Sequence, residues 1–235
     1  MQVVAQAVSP TDFASQRQTM VDCQVRTFEV TDQDVIDRFA QVPREMFVPG
    51  RLQSLAYSDA PLEIHSADGE TRCLLAPLVL ARMIQGAKVA PTDRILDVAG
   101  AAGYSAAILA GLGGQVVALE SSGDLSTMAA HNFAALGLSN AVAVNGPLDG
   151  SSGLSGAFDL ILINGAVEAG VESLLALLAP GGRLLAIVKS ASDQTGRAAK
   201  ATRFDRVGAE SSRRALFDAA APVLVPFRTK PAFIF

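Results

Sequence analysis

The segment "ILDVAGAAGYSAAILA", residues 95–110, reads as a buried strand that runs into a turn of glycine and alanine and then into a helix. A strand, a tight small-residue turn and a helix together form the arrangement from which nucleotide-like cofactors are usually held. Glycine is common in such turns because it adopts positive φ at no steric cost, whereas alanine does not. The segment therefore predicts a cofactor turn in which alanines stand where glycines are common.

The sequence around this segment alternates between strand-length and helix-length stretches. From residue 93 onward the strand-length apolar runs are "RILDVA", "QVVALE", "AVAVN", "FDLILIN" and "GRLLAIVK". Near-continuous apolar strands between helices indicate a parallel sheet that is covered on both faces. We therefore predict an α/β fold with a doubly wound, mostly parallel, Rossmann-like sheet over residues 93–235.

The N-terminal part, residues 1–92, is predicted to be a helical extension of the same single domain, residues 1–235. In "DVIDRFAQV" the apolar residues recur at helical spacing, so that Val35, Ile36, Phe39 and Val42 share one face. With 50% apolar and 18% charged residues, a chain of 235 residues can bury one large core.

Charge and cysteine content limit the partners. The net charge of −4 and the absence of a Lys or Arg run argue against a nucleic-acid surface. Cys23 and Cys73 lie far apart, which fits a reducing compartment, and we expect a cytoplasmic protein without a targeting signal or membrane span. Neither His65 nor His131 sits in a metal-ligand spacing, so no metal site is expected.

Each of the five predicted strands ends in or just before a polar residue. These residues are Asp97, Glu120, Asn145, Asn164 and Lys189. Ligands of open parallel sheets bind beyond the carboxyl ends of the strands, so the row marks the expected binding edge. We expect Asp97 and Glu120 to face a ligand, whereas ordinary solvent exposure explains Asn164 and Lys189 equally well.

A dinucleotide is the first of two cofactor classes that could occupy this edge. Its fingerprint, G-x-G-x-x-G, counted from Gly100 places Ala102 and Ser105 at the second and third glycines, which is a poor fit. A nicotinamide-dependent reductase also needs a phosphate cradle that this turn does not offer.

S-adenosylmethionine is the second class, and its sites resemble an acidic residue followed by a G-x-G-x-G turn. After Asp97 the three glycine positions fall on Ala99, Ala101 and Gly103. Glu120 ends the second strand, where its carboxylate could accept hydrogen bonds from both ribose hydroxyls of either cofactor.

The N-terminal part carries a family resemblance. "VIDRFAQVPREMFVPGRLQSLAYSDAPLEI", residues 35–64, resembles the signature of protein-L-isoaspartate O-methyltransferases, with V-P-R-x-x-F-V-P and A-Y-x-D-x-P-L. Together with "ILDVAGAAGYSAAILA", "FDLILINGAVE" and "LAPGGRLLAIV", the similarity covers roughly residues 20–190. The tail, "ALFDAAAPVLVPFRTKPAFIF", looks like the shorter bacterial branch.

The resemblance implies a class I methyltransferase fold with S-adenosylmethionine as the cofactor and a protein or small-molecule carboxylate as the methyl acceptor. The implied cofactor residues are Asp97, Ala99, Gly100, Ala101, Gly103, Glu120, Ser121, Asn145, Gly146 and Asn164. No catalytic side chain is assigned, because alignment of an activated methyl donor with a carboxylate needs little acid or base assistance.

Two departures from the family concern the cofactor side. An alanine at a turn position that requires positive φ costs on the order of 1 kcal/mol. After the third strand, Pro147 stands where the family usually carries an acidic residue that accepts from the adenine amino group. Asn145 or Asp149 is the available substitute.

A third departure concerns the substrate side, where repair enzymes of the family carry Q-T-I-S-x-P. In "DGETRCLLAP" the serine position becomes Cys73 or Leu75, depending on the anchor, and neither supplies a hydroxyl. Arg72 could bind a substrate carboxylate, although an arginine before a helix is more often solvated. Tyr57 and Asp59 also lie in the family's substrate region, where Tyr57 could equally hold a loop.

We therefore predict a methyltransferase of this family whose acceptor is a carboxylate other than a standard isoaspartyl peptide. The alternative is a non-catalytic relative that keeps the fold as a binding or scaffold protein. The turn discriminates between them: negative φ at Ala99 and Ala101 with open space beside Glu120 favours cofactor binding, whereas methyl groups that fill that space favour the scaffold.

Overall fold

The computed structural model describes residues 10–151, 154, 156–189, 199–208 and 210–229. Its centre is a seven-stranded sheet with helices packed against both faces. Of the tail that resembles the shorter bacterial branch, residues 230–235 lie outside the described residues. Within the described part of the chain, no helix is long and apolar enough to cross a bilayer.

The N-terminal part precedes this sheet. Its elements are α1 (Pro10–Met20), a π-helical turn (Val21–Val25), α2 (Gln33–Gln41), two 3-10 turns (Arg44–Phe47 and Gly50–Leu55), strands β1 (Leu62–His65) and β2 (Thr71–Leu74), and α3 (Pro77–Ala87). The predicted apolar face of α2 is confirmed, since Val35, Ile36, Phe39 and Val42 are all buried.

The strands and helices of the sheet follow in sequence. They are β3 (Arg94–Val98), α4 (Tyr104–Leu109), β4 (Gln115–Glu120), α5 (Gly123–Ala135), β5 (Ala141–Asn145), β6 (Phe158–Val167), α6 (Glu172–Ala176), β7 (Leu178–Lys189), β8 (Ala199–Val207) and β9 (Glu210–Asp218). The spatial order is β5-β4-β3-β6-β7-β8-β9, and β8 is antiparallel to both of its neighbours, β7 and β9. A 3-10 turn, Val225–Phe227, follows β9.

Alternate residues of the central strands supply two apolar cores, one on each face of the sheet. In β3, Ile95 belongs to the core that includes α2, α3 and α4, whereas Leu96 and Val98 belong to the opposite core. This two-sided burial explains the near-continuous apolar runs of the sequence. It confirms the predicted α/β fold with a mostly parallel, doubly wound sheet.

Three elements differ from the prediction. The N-terminal part is not wholly helical, because β1 and β2 form an antiparallel hairpin. Strands β8 and β9 were not predicted, since their charged residues interrupt the apolar pattern on which strand recognition depends. Strand β6 continues to Val167 through an irregular register between Leu162 and Ala166, so Asn164 lies at this irregularity and not at the strand end.

Candidate cofactor and acceptor site

The turn after β3 has left-handed backbone at all three glycine positions of the S-adenosylmethionine template. The φ angles are 59° at Ala99, 54° at Ala101 and 93° at Gly103. A left-handed alanine costs roughly 1–2 kcal/mol relative to ordinary backbone. The two alanines therefore keep the backbone path that glycines adopt without strain.

The methyl groups of these alanines pack into the protein. Ala99 belongs to one apolar core and Ala101 to the other, and both are essentially inaccessible to solvent. Neither of the two outcomes expected for the turn is found. The φ angles are positive and not negative, and the space beside Glu120 is filled by the side chain of Arg72 and not by the alanine methyl groups. Gly100 tolerates no side chain, since a Cβ there would lie 2.3 Å from Asp97 Oδ2.

Asp97 lies beneath the turn and is completely buried. Its Oδ2 accepts a hydrogen bond from Ser105 Oγ at 2.8 Å, and its Oδ1 accepts one from Asn164 Nδ2 at 2.8 Å. Burial raises the pKa of the carboxyl to about 6, and these two hydrogen bonds partly oppose the rise. Asp97 therefore supports the turn from below and joins it to the irregular part of β6.

Glu120, at the end of β4, hydrogen-bonds directly to the backbone of the turn. Its Oε1 accepts from the backbone N–H of Ala101 at 2.8 Å, across 19 residues of chain. Arg72 Nε donates to both carboxylate oxygens, at 3.2 Å to Oε1 and 2.9 Å to Oε2. Burial raises the pKa of Glu120 to about 7, while the charge of Arg72 and the Ala101 N–H lower it.

Arg72 reaches Glu120 from β2 of the hairpin. It lies opposite Ile64 in the β1–β2 register, so it occupies a position on the buried face of the hairpin. Its side chain is only 3% exposed, and its terminal nitrogens donate to Ser121 Oγ at 2.6 Å and Glu70 Oε2 at 2.8 Å. The expectation of a solvated Arg72 is therefore wrong, because a buried carboxylate 48 residues away supplies its counter-charge.

The tip of the hairpin is fixed to the first turn of α5. The backbone N–H of Ala67 donates to Asp124 Oδ2 at 3.0 Å. The helix is capped by Ser122, whose Oγ accepts from the backbone N–H of Leu125 at 3.2 Å. The hairpin thus lies over the carboxyl end of β4, where it covers Glu120.

Asn145 is the last residue of β5, and Gly146 follows it, so both adjoin the same end of β4. The Gly146 N–H donates to the Glu120 carbonyl at 2.9 Å, and Asn145 Nδ2 donates to the carbonyls of Glu120 and Ser121 at 3.1 and 3.2 Å. Asp149 instead accepts from the N–H of Ser151 at 2.9 Å. Of the two predicted substitutes for the adenine contact, Asn145 therefore lies beside Glu120.

A cleft of about 570 Å³ lies between the hairpin and the segment 222–228. Val223 pairs with Ala166 of β6, which holds this segment beside the sheet. The charged side chains that line the cleft are Glu63, Asp68, Glu70, Arg72 and Arg228. Arg72 is thus both a wall of the cleft and the partner of Glu120.

The substrate-side candidates are distributed unevenly around this cleft. Cys73 lines it and is buried, and burial raises the pKa of its thiol to about 11. Tyr57 is buried elsewhere, where its hydroxyl bonds to Glu45 and accepts from Arg17 at 3.2 Å, so it holds a loop. Asp59 is exposed.

Glu70 and the segment 222–228, which the sequence pattern did not indicate, complete the cleft. Thr71, a hydroxyl-bearing residue of the stretch before α3, also lines it and is bonded to His65 Nδ1 at 3.0 Å. The signal that could have revealed the hairpin is the pair of short runs "LEIH" and "TRCL" around the turn residues "SADG". The segment 222–228 carries no comparable pattern.

The residues at this edge fit S-adenosylmethionine on one condition. The left-handed turn matches the path of the glycine template, and Glu120 stands where a ribose acceptor is required. However, the Glu120 side chain is only 2% exposed and is covered by Arg72. The cofactor therefore fits once the guanidinium of Arg72 leaves the carboxylate.

Comparison with known sequences gives a consistent result. Residues 15–217 match the family model of protein-L-isoaspartate(D-aspartate) O-methyltransferase. A protein-L-isoaspartate O-methyltransferase of Koribacter versatilis is 38% identical over 188 residues, which cover 78% of this chain and 82% of the relative. One from Methylorubrum extorquens is 38% identical over 186 residues, which cover 78% of each chain.

Solved structures share the fold at lower identity. A structure of a protein-L-isoaspartate O-methyltransferase superimposes with a TM-score of 0.76 at 21% identity, covering 88% of this chain and 65% of the longer neighbour. One from Plasmodium falciparum, described as a complex with S-adenosyl-L-homocysteine, gives a TM-score of 0.69 at 19% identity, covering 90% and 97%. At these identities the likeness establishes the class I methyltransferase fold.

Proposed function

This chain belongs to the protein-L-isoaspartate O-methyltransferase family, whose members use S-adenosylmethionine, and we propose that it is a methyltransferase. We further propose that its methyl acceptor is a carboxylate other than a standard isoaspartyl peptide. The observation that carries the cofactor part is the meeting of Glu120 with the left-handed turn at Ala101 N, 2.8 Å from Oε1. The acceptor part rests on the cleft beside Arg72.

The cofactor residues would act by holding and orienting. Glu120 would accept hydrogen bonds from the ribose hydroxyls while the Ala101 N–H holds its Oε1, and Asp97 supports the turn from beneath. Bound at this edge, S-adenosylmethionine would supply a methyl group for transfer from its positively charged sulfur to a carboxylate oxygen, leaving a neutral thioether. Since the acceptor is already an anion, the protein contributes alignment and exclusion of water.

The acceptor proposal rests on the cleft wall. The positions that could correspond to the family serine are Cys73 and Leu75, which are both buried and lack a hydroxyl. The one hydroxyl that this stretch brings to the cleft is that of Thr71, on β2. Three carboxylates, Glu63, Asp68 and Glu70, outnumber Arg228, the one cation besides Arg72 that the described residues place in the wall, and disfavour an acceptor with further negative charge. We therefore propose an acceptor carboxylate that is flanked by neutral or basic groups.

We also propose a cellular compartment for this activity. Cys23 and Cys73 are both free thiols, which suits a reducing environment. We propose the cytoplasm as the site of action, with all 235 residues acting as one domain.

A second candidate function is a non-catalytic binding protein that keeps the family fold. The observation that favours it is the closure of Glu120, whose side chain is only 2% exposed beneath Arg72. If the guanidinium never leaves, the cofactor has no route to the carboxylate. The two candidates therefore differ in whether S-adenosyl-L-homocysteine binds.

Methyl transfer from labelled S-adenosylmethionine tests the proposal. The acceptors are an isoaspartyl peptide, its aspartyl counterpart, and peptides in which either residue is flanked by lysine, with Glu120→Gln as the control. We expect a base-labile methyl ester on an acceptor other than the plain isoaspartyl peptide, and none with the variant. Robust methylation of the plain isoaspartyl peptide that Glu120→Gln abolishes would restore the ordinary repair function. Absence of both transfer and S-adenosyl-L-homocysteine binding would favour the non-catalytic candidate.

A further inference from the structure

We infer that Arg72 changes partners during the reaction: it neutralises Glu120 while the cofactor is absent and binds the acceptor carboxylate once the ribose has taken Glu120. This inference rests on the proposed function and assigns Arg72 as a positioning and specificity residue. It makes acceptor binding depend on prior cofactor binding.

First, the Glu120 carboxylate has too few free acceptor positions to bind both ribose hydroxyls while Arg72 is in place. A carboxylate offers about four acceptor positions. The Ala101 N–H occupies one, and Arg72 Nε approaches one on each oxygen, at 3.2 and 2.9 Å. A single position remains for two ribose hydroxyls. Withdrawal of Nε frees two more and leaves the Ala101 bond intact.

The second step concerns access. The side chains of Arg72 and Glu120 are 3% and 2% exposed, so no ligand group can approach the carboxylate past the guanidinium. The hairpin tip is fixed to α5 through the Ala67 N–H and Asp124, at 3.0 Å. Because the backbone on both sides of the site is held, rotation of the Arg72 side chain is the smallest change that opens it.

The third step is the destination of the guanidinium. A buried cation that loses its counter-ion needs another anion or water, because an unpaired buried charge is costly. The guanidinium already borders the cleft, because its Nη1 lies 2.8 Å from Oε2 of Glu70, a residue of the cleft wall. An acceptor carboxylate in the cleft supplies the missing partner, and a planar guanidinium matches a carboxylate by paired hydrogen bonds.

The same logic gives an order of binding. Without cofactor, Arg72 is committed to Glu120 and Ser121, and the three carboxylates of the cleft outnumber Arg228, its one other cation within the described part of the chain, so the cleft is unfavourable for an anion. With cofactor, the released guanidinium attracts one. An acceptor therefore binds productively only to the cofactor-loaded chain.

Arg72→Met removes the guanidinium but keeps an unbranched side chain, and Arg72→Lys keeps the charge without the planar fork. The matched control is Arg82→Met, since Arg82 pairs at 2.7 Å with the exposed Glu29 and does not line the cleft. Calorimetric titration at pH 8.5 with S-adenosyl-L-homocysteine should show binding about tenfold tighter for Arg72→Met than for the wild type. Arg82→Met should match the wild type.

Propionate, which carries a single carboxylate, serves as the probe for the second half of the exchange. We expect it to bind the wild type only in the presence of S-adenosyl-L-homocysteine, to bind Arg72→Met at least tenfold more weakly, and to be partly restored by Arg72→Lys. Nitrogen NMR of the wild type gives an independent readout, because the Arg72 Nε–H, assigned by its absence from Arg72→Lys, should shift when S-adenosyl-L-homocysteine binds.

The outcomes separate the claims. Equal S-adenosyl-L-homocysteine affinity in the wild type and Arg72→Met, or an Arg72 Nε–H signal that does not move, would overturn the exchange and leave the proposed cofactor role standing. Propionate binding that is absent, or that is independent of either the cofactor or Arg72, would overturn the transfer of Arg72 to the acceptor. Failure of both chains to bind S-adenosyl-L-homocysteine would remove the proposed function itself.

Discussion

The turn at residues 99–103 and the hairpin β1–β2 approach the same carboxylate in different ways. The turn keeps the left-handed backbone of a glycine-rich cofactor loop although alanine holds two of its three positions. The hairpin carries "TRCLLAP" in place of the family's Q-T-I-S-x-P segment, and its Arg72 fills the space beside Glu120. The comparison shows that the backbone of a binding site can persist while a side chain from a distant segment alters its accessibility.

The largest expected effect contrasts one glycine from each region. Gly103 has a φ of 93°, and a Cβ there would lie 2.6 Å from the buried ring of Phe133, so Gly103→Ala combines backbone strain with overlap. We expect a loss of about 3–5 kcal/mol in the free energy of unfolding. Gly69, at the hairpin tip, has a φ of 86° but open space, and Gly69→Ala should cost only about 1 kcal/mol.

Urea denaturation of both variants measures this difference. Equal losses would show that the turn is no more tightly packed than the hairpin tip. The comparison of rigid turn and tolerant tip would then be wrong.

The next effect concerns pH. Because burial raises the pKa of Asp97 from 3.8 to about 6, its folded form binds a proton more tightly than its unfolded form. The stabilising contribution is complete below about pH 3.8 and is lost as pH rises through about 6, for a total of about 3 kcal/mol. Asp97→Asn should remove this dependence from the profile between pH 4 and pH 7.

The hairpin provides the control for this measurement. The pKa of the exposed Asp68 is lowered by hydrogen bonds from Ser66 and Ser122, so any contribution has the opposite sign and lies at lower pH. Asp68→Asn should leave the profile between pH 5 and pH 7 unchanged. Glu120, whose pKa burial raises from 4.5 to about 7, adds a slope of the same sign, so Asp97→Asn should reduce the slope without abolishing it. A slope that Asp97→Asn leaves unchanged would contradict the assigned burial of Asp97.

The smallest effect concerns the alanines of the turn. Ala99→Gly and Ala101→Gly relieve left-handed strain of roughly 1–2 kcal/mol, but each also deletes a buried methyl group, worth about 0.8 kcal/mol, and adds freedom to the unfolded chain. We expect these contributions to cancel to within about 0.5 kcal/mol at each position. Ala102→Gly, at a neighbouring buried position without positive φ, has no strain to relieve and should lose about 1–2 kcal/mol. Thermal denaturation of the three variants measures this difference, and equal losses at all three would disprove the strain.

The same two regions show how much of the site could be predicted from the sequence. The turn, Asp97 and Glu120 were predictable because their positions follow from strand periodicity and from the common direction of parallel strands. The Arg72–Glu120 pair joins residues 48 positions apart, and no local pattern encodes that distance. Strand β9 was missed for a related reason: it is an edge strand with mostly exposed polar residues.

The claim that Glu120 binds the cofactor is tested most directly when Arg72 is absent. Calorimetric titration of S-adenosyl-L-homocysteine into Arg72→Met and into the double variant Arg72→Met with Glu120→Gln isolates the contact of the carboxylate with the ribose. We predict binding by the single variant and affinity about 10- to 100-fold lower in the double variant, because charge-assisted hydrogen bonds to the ribose hydroxyls are lost. Equal dissociation constants in the two variants would contradict the assignment of Glu120 and, with it, the proposed cofactor site.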